Sequence, residues 1–321
     1  MSLDSFNPPS RPAEIILDTD MATDCDDAGA MAVLHALASA GEARIAAIVV
    51  NNKDADSVGA VAAINAFYGR PDIPLGAYQG DEIGATAGVF VHTLAEDTAA
   101  YGHVIRSRAE VPSALAVYRR TLADLPDGSA VIVSIGHLNN LHDLLGSSPD
   151  VHSPLSGMEL VRKKVAHVVM MAGDYPAGKE HNFFARGSDA VSAAVVNGWP
   201  TPILFSGYTL GVALMTGPGL AVLAERHPVR RAYALHPCKP IEHGRPSWDQ
   251  TAVLAAVRGA GCFWALSQPG FNRVAADGSN VWGSRPDGRH VYLIERDAPA
   301  QVSAEIERLM VGANILSSSA H

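Results

Sequence analysis

The chain has 321 residues, of which 48% are hydrophobic and 18% charged, so it can bury a large core as one big α/β domain or as two small ones. Its formal net charge of -9 argues against binding to a nucleic-acid polymer. No apolar run is long enough to span a bilayer, so we expect no membrane partner.

The cysteines and the first residues indicate the compartment. Cys25, Cys238 and Cys262 form neither a CxxC pair nor an even set, which predicts reduced thiols and a cytoplasmic protein. Residues 1–12 are polar and Pro-rich and show no signal peptide, although an upstream signal could have been trimmed. Because we find no repeat and no low-complexity linker, we expect one domain over 1–321, with a flexible N-terminus at 1–12 and a C-terminal elaboration at 270–321.

The most informative stretch is a cluster of acids between a strand and a helix. Residues 15–17 are apolar and predict a buried strand, and the apolar run 28–38 predicts a helix. Residues two apart on a strand share a face, and the turn can bring the later acids back toward them. The five carboxylates in this stretch are Asp18, Asp20, Asp24, Asp26 and Asp27.

Five carboxylates this close together repel one another in a partly dry cleft, and a hard divalent cation offsets that repulsion best. The cluster contains no His and only one Cys, which favours Ca²⁺ or Mg²⁺ over zinc. The alternative interpretation is that Asp26 or Asp27 only caps the helix. Capping explains one or two of the five acids, so we favour a metal site.

The chain then alternates predicted strands and helices, which indicates a Rossmann-like open, mostly parallel sheet flanked by helices. Polar residues follow the strands, as in Asn51-Asn52, 136–140 and 172–174, and parallel strands deliver such residues to one crevice. The predicted strands are 44–50, 74–78, 130–135, 165–171, 201–205 and 292–295, and the predicted helices are 56–68, 112–125, 189–197, 217–226, 250–257 and 300–310. We expect hairpin turns within 270–288 and a long irregular loop covering the site at 80–111.

Four segments together resemble one known family. Residues 15–20, followed by Asp26-Asp27-Ala28, resemble the signature of the inosine-uridine nucleoside hydrolases, in which an Asp-x-Asp strand and an Asp-Asp helix start hold Ca²⁺. Residues 136–141 resemble the family's Gly-x-Leu-Thr-Asn segment, and 170–182 its Met-x-Gly strand with a Glu-x-Asn tail. Trp248-Asp249 falls where the family has a His-Asp pair. The resemblance spans roughly residues 13–260.

The resemblance implies a nucleoside hydrolase fold and Ca²⁺-dependent hydrolysis of the N-glycosidic bond of ribonucleosides, releasing base and ribose. It implies that Asp20 is the base that takes a proton from the calcium-bound water. Since family members are commonly homo-oligomers, we expect a homodimer or homotetramer. The implied calcium ligands are Asp20, Asp27, Asp249 and the backbone carbonyl of Asn139, and the implied contacts to the ribose hydroxyls are Asp26, Asn51 or Asn52, Glu180 and Asn182.

Two departures from the family pattern leave alternatives open. The spacer between Asp20 and the Asp-Asp pair is two residues longer and includes Asp24, which either replaces Asp26 at the sugar or acts beside it. Trp248 replaces the His that would protonate the departing base, and an indole N–H does not give up its proton at usable pH. An indole can stack on a purine, so the chain prefers purines, uses another acid or binds without cutting. The candidates for another acid are His137, His181, His236 and His243.

Two other functions compete with this one. The strand with Asp18-Thr19-Asp20 also resembles the opening motif of haloacid-dehalogenase-type phosphatases. That motif requires Thr or Val where Ala22 stands, and a second Asp where Gly178 follows Asp174, so this hypothesis is disfavoured. The other hypothesis is a nucleoside- or ribose-binding protein that has lost catalysis with the change to Trp248.

Overall fold

The computed structural model describes residues 6–7, 12–85 and 88–312. The strands within these ranges are β1 Ala13–Thr19, β2 Ala43–Val50, β3 Leu75–Ala77, β4 Ala130–Ile135, β5 Val165–Met171, β6 Ala177–Gly178, β7 Ile203–Ser206, β8 Met215–Thr216, β9 Arg245–Pro246, β10 Trp264–Leu266, β11 Gly270–Val274, β12 Asn280–Ser284 and β13 His290–Glu295. One mixed sheet has the strand order β3-β2-β1-β4-β5-β7-β13-β11-β12-β6, with β10 added on β13. The seven strands β3-β2-β1-β4-β5-β7-β13 pair in parallel with their neighbours. The pairs formed by β10, β11, β12 and β6 are antiparallel.

The central strands are apolar on both faces because helices cover both sides of the sheet, which is the pattern that parallel sheets require. Along β1, Ile15 and Leu17 belong to one apolar core, whereas Ile16 belongs to the core on the opposite face. The helices are α1 Asp26–Ser39, α2 Ser57–Phe67, α3 Val89–Glu96, α4 Thr98–Tyr101, α5 Ala114–Asp124, α6 Asn139–Gly146, α7 Gly157–Lys164, α8 His181–Phe184, α9 Asp189–Gly198, α10 Tyr208–Val212, α11 Pro228–Leu235, α12 Pro240–His243, α13 Trp248–Arg258 and α14 Pro299–Val311.

The chain order reverses at β1, which lies between β2 and β4. The ends of these strands are level, since Thr19 pairs with Val50 on one side and with Ile135 on the other. Open α/β sheets bind ligands at such a switch point, outside the carboxyl ends of the strands. Helix α13 packs on α1 and against β4 and β5, so the first residues of both helices reach this edge.

Most predicted elements are confirmed within a few residues, including the hairpin of β11 and β12. The predicted loop 80–111 was partly wrong, because it contains α3 and α4, and α3 packs on α2 and α11. The predicted helix 217–226 was also largely wrong, since only Pro218–Val222 forms a short 3-10 helix there. Helices α7 and α11 were not predicted at all.

The predicted flexible N-terminus at 1–12 lies mostly outside the described residues. Of its described members, Phe6 is buried edge-on against His167. The last nine residues of the predicted C-terminal elaboration, 313–321, also lie outside the described part. None of the helices in the described ranges has both the length and the apolar run that a membrane crossing requires.

Candidate functional site

A cavity of about 330 Å³ opens at the carboxyl edge of the sheet, between the starts of α1 and α13. This volume is at the lower end of the range typical of small-molecule sites, which is roughly 300–1,000 Å³. Its lining is dominated by charge, with six carboxylates facing two guanidinium groups and one imidazole. The carboxylates belong to Asp20, Asp24, Asp26, Asp27, Glu180 and Asp249, and the basic groups to Arg186, Arg245 and His181.

Three of the carboxylates form a tight buried group. Asp26 and Asp27 begin α1, Asp249 is the second residue of α13, and one oxygen from each lies within 4.8 Å of the other two. All three are buried, and burial together with the neighbouring carboxylates raises each pKa well above its usual value. The Thr19 hydroxyl donates a hydrogen bond to Asp27.

This group suits a hard divalent cation. Buried carboxylates of one sign are unfavourable unless a counter-charge compensates them, and oxygen-only donor sets match Ca²⁺ or Mg²⁺. Asp26 was predicted to hold the sugar, yet it lies with the predicted metal ligands Asp27 and Asp249. The assignment of individual ligands stays a prediction.

Asp20 lies directly after β1 and lines the cavity beside this group. Gly136 allows its position, because a Cβ there would lie 2.6 Å from the Asp20 Cβ. Burial raises the pKa of Asp20 to about 6, although a charged His181 would lower it. The His137 Nε2 lies 3.8 Å from an Asp20 oxygen, and His137 is itself fully buried.

Asp18, by contrast, lies behind the cavity wall. Its carboxylate accepts hydrogen bonds from Asn51 at 2.9 Å, from Asn140 at 3.0 Å and from the Tyr118 hydroxyl at 2.8 Å. Burial raises its pKa to about 7 despite these donors. Asp20 lies just beyond the end of β1 and lines the cavity, whereas Asp18 lies within the strand and is not among the residues that line the cavity.

The amides at the strand tips support the acids and do not line the cavity. Asn51 and Asn52 are completely buried and neither is among the lining residues, so the contact of either one with the ribose hydroxyls stays a prediction. Asn52 donates to the backbone carbonyls of Asp20 and Met21, and thereby holds the turn after β1. The Asn139 amide donates to the Asn51 carbonyl at 2.9 Å, and the metal role of its own carbonyl stays a prediction.

The extra acid of the long spacer, Asp24, is engaged by a cation. Arg245 donates to both of its oxygens, one of them at 3.0 Å from the Arg245 Nε, and the His236 Nε2 lies 3.5 Å away. Burial alone would raise the pKa of Asp24, but the hydrogen bonds and charge of Arg245 outweigh it and lower the pKa. Asp24 lines the cavity, but its carboxylate is occupied, so it is a poor substitute for Asp26.

Glu180 and Asn182 both line the cavity, in the segment that follows β5. Glu180 caps α8, and its two oxygens accept the backbone N–H groups of Gly173 at 3.0 Å and Asn182 at 2.9 Å. Burial raises its pKa to about 8, and these two bonds only partly oppose that rise. The Asn182 side chain donates to the Met171 carbonyl at 2.9 Å.

Two aromatic side chains, Trp248 and Tyr208, also line the cavity. Trp248 stacks on Tyr208 with ring centroids 5.5 Å apart and an angle of 19° between the planes. Its indole N–H donates to the Tyr208 carbonyl at 3.1 Å, and the Arg245 guanidinium lies 5.1 Å from the ring centre. Gly211 makes room for the indole, since a Cβ there would lie 2.3 Å from the Trp248 Cδ1.

The structure also places residues that the sequence did not single out. Tyr208, Arg245 and Arg186 line the cavity from loops or short elements without a motif, and no local signal identifies them. Of the four candidate histidines, His181 lines the cavity, whereas His243 is exposed beside Glu242.

No family model matches the sequence, and no curated protein matches it. Solved structures do resemble the fold. The purine-preferring ribonucleoside hydrolase from Gardnerella vaginalis matches with a TM-score of 0.68 at 15% identity, over 94% of this chain and 99% of that chain. The inosine-uridine preferring nucleoside hydrolase from Bacillus anthracis matches with a TM-score of 0.66 at 16% identity, over 93% and 99%.

A third structure is similar to the same extent. The type III effector protein XopQ, solved in complex with adenosine diphosphate ribose, matches with a TM-score of 0.69 at 16% identity over 96% of each chain. At these identities the likeness concerns the fold. The chain therefore has the α/β nucleoside hydrolase fold that its four motifs predict.

Proposed function

We propose that the chain hydrolyses the N-glycosidic bond of ribonucleosides in a Ca²⁺-dependent reaction. The observation that carries this proposal is the cavity itself, which is lined both by a buried group of three carboxylates and by a stacked aromatic pair. The acids suit a cation and the hydroxyls of a sugar, and the aromatic pair suits a flat base.

Asp27 and Asp249 would hold the cation, with Asp20 and Asp26 beside them. A bound divalent cation lowers the pKa of a water molecule and orients it for attack. Asp20 would accept the proton of the attacking water, because it lines the cavity beside the acid group that would hold the cation. A carboxylate in this position can act as the general base.

Glu180 and Asn182 would hold the sugar opposite the acids, since both line the cavity and are fixed by backbone hydrogen bonds. Trp248 with Tyr208 would bind the base by stacking. The oxocarbenium-like centre that develops on the sugar as the bond breaks would be stabilised by the surrounding carboxylates.

The test is the release of free base and reducing sugar from a panel of purine and pyrimidine nucleosides, with added Ca²⁺ and after chelation. We expect release that chelation abolishes, and a loss of at least 10²-fold in kcat for Asp20→Asn with the fold unchanged. Asp287→Asn, on the exposed loop between β12 and β13 where Asp287 pairs with Arg285, is the matched control. Near-normal turnover in Asp20→Asn would remove Asp20 from the mechanism.

A second candidate is a protein that binds a ribose-containing ligand without cutting it. Trp248 favours this candidate, because its N–H is engaged by the Tyr208 carbonyl and supplies no proton to a departing base. The similarity to XopQ, which was solved with adenosine diphosphate ribose, agrees with it. A binder gives a stable complex and no free base in the same assay, whereas the enzyme gives turnover.

We also propose a homodimer or homotetramer in the cytoplasm, as the resemblance and the unpaired cysteines predict. Light scattering after size-exclusion chromatography tests the oligomeric state.

A further inference from the structure

One wall of the cavity carries two basic side chains that the proposed reaction does not use. Arg186 and His181 both line the cavity, and neither side chain makes a hydrogen bond or an ion pair with any residue in the described ranges. Both belong to the segment that also carries Glu180 and Asn182. The other guanidinium that lines the cavity, that of Arg245, forms an ion pair with Asp24.

The backbone holds Arg186 in place. Arg186 has a left-handed conformation with φ 56° and ψ 32°, which is uncommon for a residue with a Cβ. The turn is fixed by Ser188, whose hydroxyl contacts the carbonyls of Asn182 at 3.0 Å and Ala185 at 2.7 Å.

The substituents of a riboside can be matched to the side chains that line the cavity. The proposed function places the vicinal hydroxyls at the acid group of α1 and α13 and the base at Trp248 and Tyr208. The remaining substituent of the sugar is the primary hydroxymethyl group, and the charged side chains of the lining that still have no role are Arg186 and His181. This step rests on the proposed function.

We infer that the site takes ribosides whose primary hydroxyl carries a phosphate, and that Arg186 with His181 binds this phosphate. A guanidinium matches phosphate oxygens in geometry and charge. The six carboxylates of the cavity would otherwise repel an anion, so a free guanidinium is required at the end of the cavity that receives one. The same chemistry fits a phosphate monoester and a diphosphate that continues to a second group.

The test measures binding to the protein with Ca²⁺ by calorimetry, using ribose, ribose 5-phosphate and adenosine diphosphate ribose as probes. We expect ribose 5-phosphate to bind about 10- to 100-fold more tightly than ribose, as expected for hydrogen bonds between charged partners. Tighter binding of the diphosphate than of the monoester would identify an extended ligand, and the reverse order a simple phosphate monoester. Either order supports the inference if both exceed ribose.

The key variant is Arg186→Asn, because Asn tolerates the left-handed backbone while it removes the charge. We expect it to bind ribose 5-phosphate no more tightly than ribose, whatever its affinity for ribose, because Arg186 also acts on the charge of Asp20 in the same cavity. Arg186→Lys should retain part of the advantage, and Arg162→Gln, an exposed change on α7, should retain all of it.

The outcomes separate this inference from the proposed function. If ribose binds, nucleosides are cleaved and phosphate adds no affinity, the inference is overturned and the proposed function stands. If Arg186→Asn weakens ribose and ribose 5-phosphate equally, Arg186 only offsets the acids of the cavity, which also overturns the inference. If neither sugar binds and no nucleoside is cleaved, the proposed function fails first and the inference with it.

Discussion

Glu180 is predicted to make the metal-free protein less stable as pH rises. The side chain is buried and accepts two backbone hydrogen bonds, and burial raises its pKa from 4.5 to about 8. A carboxyl group with a raised pKa keeps its proton in the folded state after the unfolded chain has released it. Rising pH therefore favours unfolding throughout the interval between these two values.

The size of the effect follows from the shift. One pH unit inside the interval corresponds to about 1.4 kcal/mol, so between about pH 5.5 and pH 7.5 this one group removes roughly 3 kcal/mol from the free energy of unfolding. Glu180→Gln cannot ionise and abolishes this contribution. The new amide places an N–H group opposite a backbone N–H, of Gly173 or Asn182, which costs about 1–3 kcal/mol at every pH. The slope with pH is therefore the informative quantity.

Urea denaturation of both proteins in chelator, at several values across that pH interval, measures the difference. We expect the stability of wild type to fall relative to Glu180→Gln by about 2–3 kcal/mol from the lower to the higher pH. Glu225→Gln, a change in a side chain that is 92% exposed, should follow wild type. A difference between wild type and Glu180→Gln that stays constant across the interval would refute the raised pKa.

Three further predictions concern the neighbouring contacts. Asp249→Asn removes one of three mutually repelling buried carboxylates, so it should stabilise the chelated protein by on the order of 1–3 kcal/mol. The same variant should show a smaller rise in Tm when Ca²⁺ is added. A Tm below that of wild type in chelator would contradict this prediction. Tyr118→Phe removes one of three donors to the buried Asp18 and should cost about 1–3 kcal/mol in urea denaturation, while an unchanged midpoint would mean that this donor is dispensable. Gly211→Ala must displace the Trp248 indole and should raise the KM for nucleosides by about 2- to 10-fold; an unchanged KM would remove the stacking role.

The position of the site was predictable because parallel strands end at one edge. The buried runs of β1, β2, β4 and β5 are visible in the sequence, and each is followed by polar residues. The start of α1 was also predictable, since the acids precede a long apolar run. These features depend only on local patterns, and local patterns survive folding whenever the core is strongly apolar.

The roles of the individual polar residues were less predictable, because burial decides them. Asn51 and Asn52 lie at the expected strand tip, but both are fully buried and their amides hold Asp18 and the turn at Asp20. Sequence spacing cannot distinguish a side chain that lines a cavity from one that supports its wall. The period-two rule does not reach Asp20, because the rule applies only within a strand and β1 ends at Thr19.

The contacts between distant segments left no trace in the sequence. Asp24 and Arg245 are 221 residues apart, and neither position is marked by a motif. Their pairing explains how a spacer two residues longer is compatible with the site. Arg245 offsets part of the additional charge, because it opposes the rise that Asp24 causes in the pKa of Asp26.

The same ion pair joins two parts of the site that the chain brings together only through folding. Arg245 precedes the start of α13 by three residues, and Asp24 precedes the start of α1 by two. The ion pair between these two segments holds the first turns of α1 and α13 side by side. Asp249 thereby lies beside Asp26 and Asp27, and Trp248 lines the same cavity. The longer turn with its extra acid is therefore a docking element for α13, and the acids on either side of it remain available for a cation and a sugar.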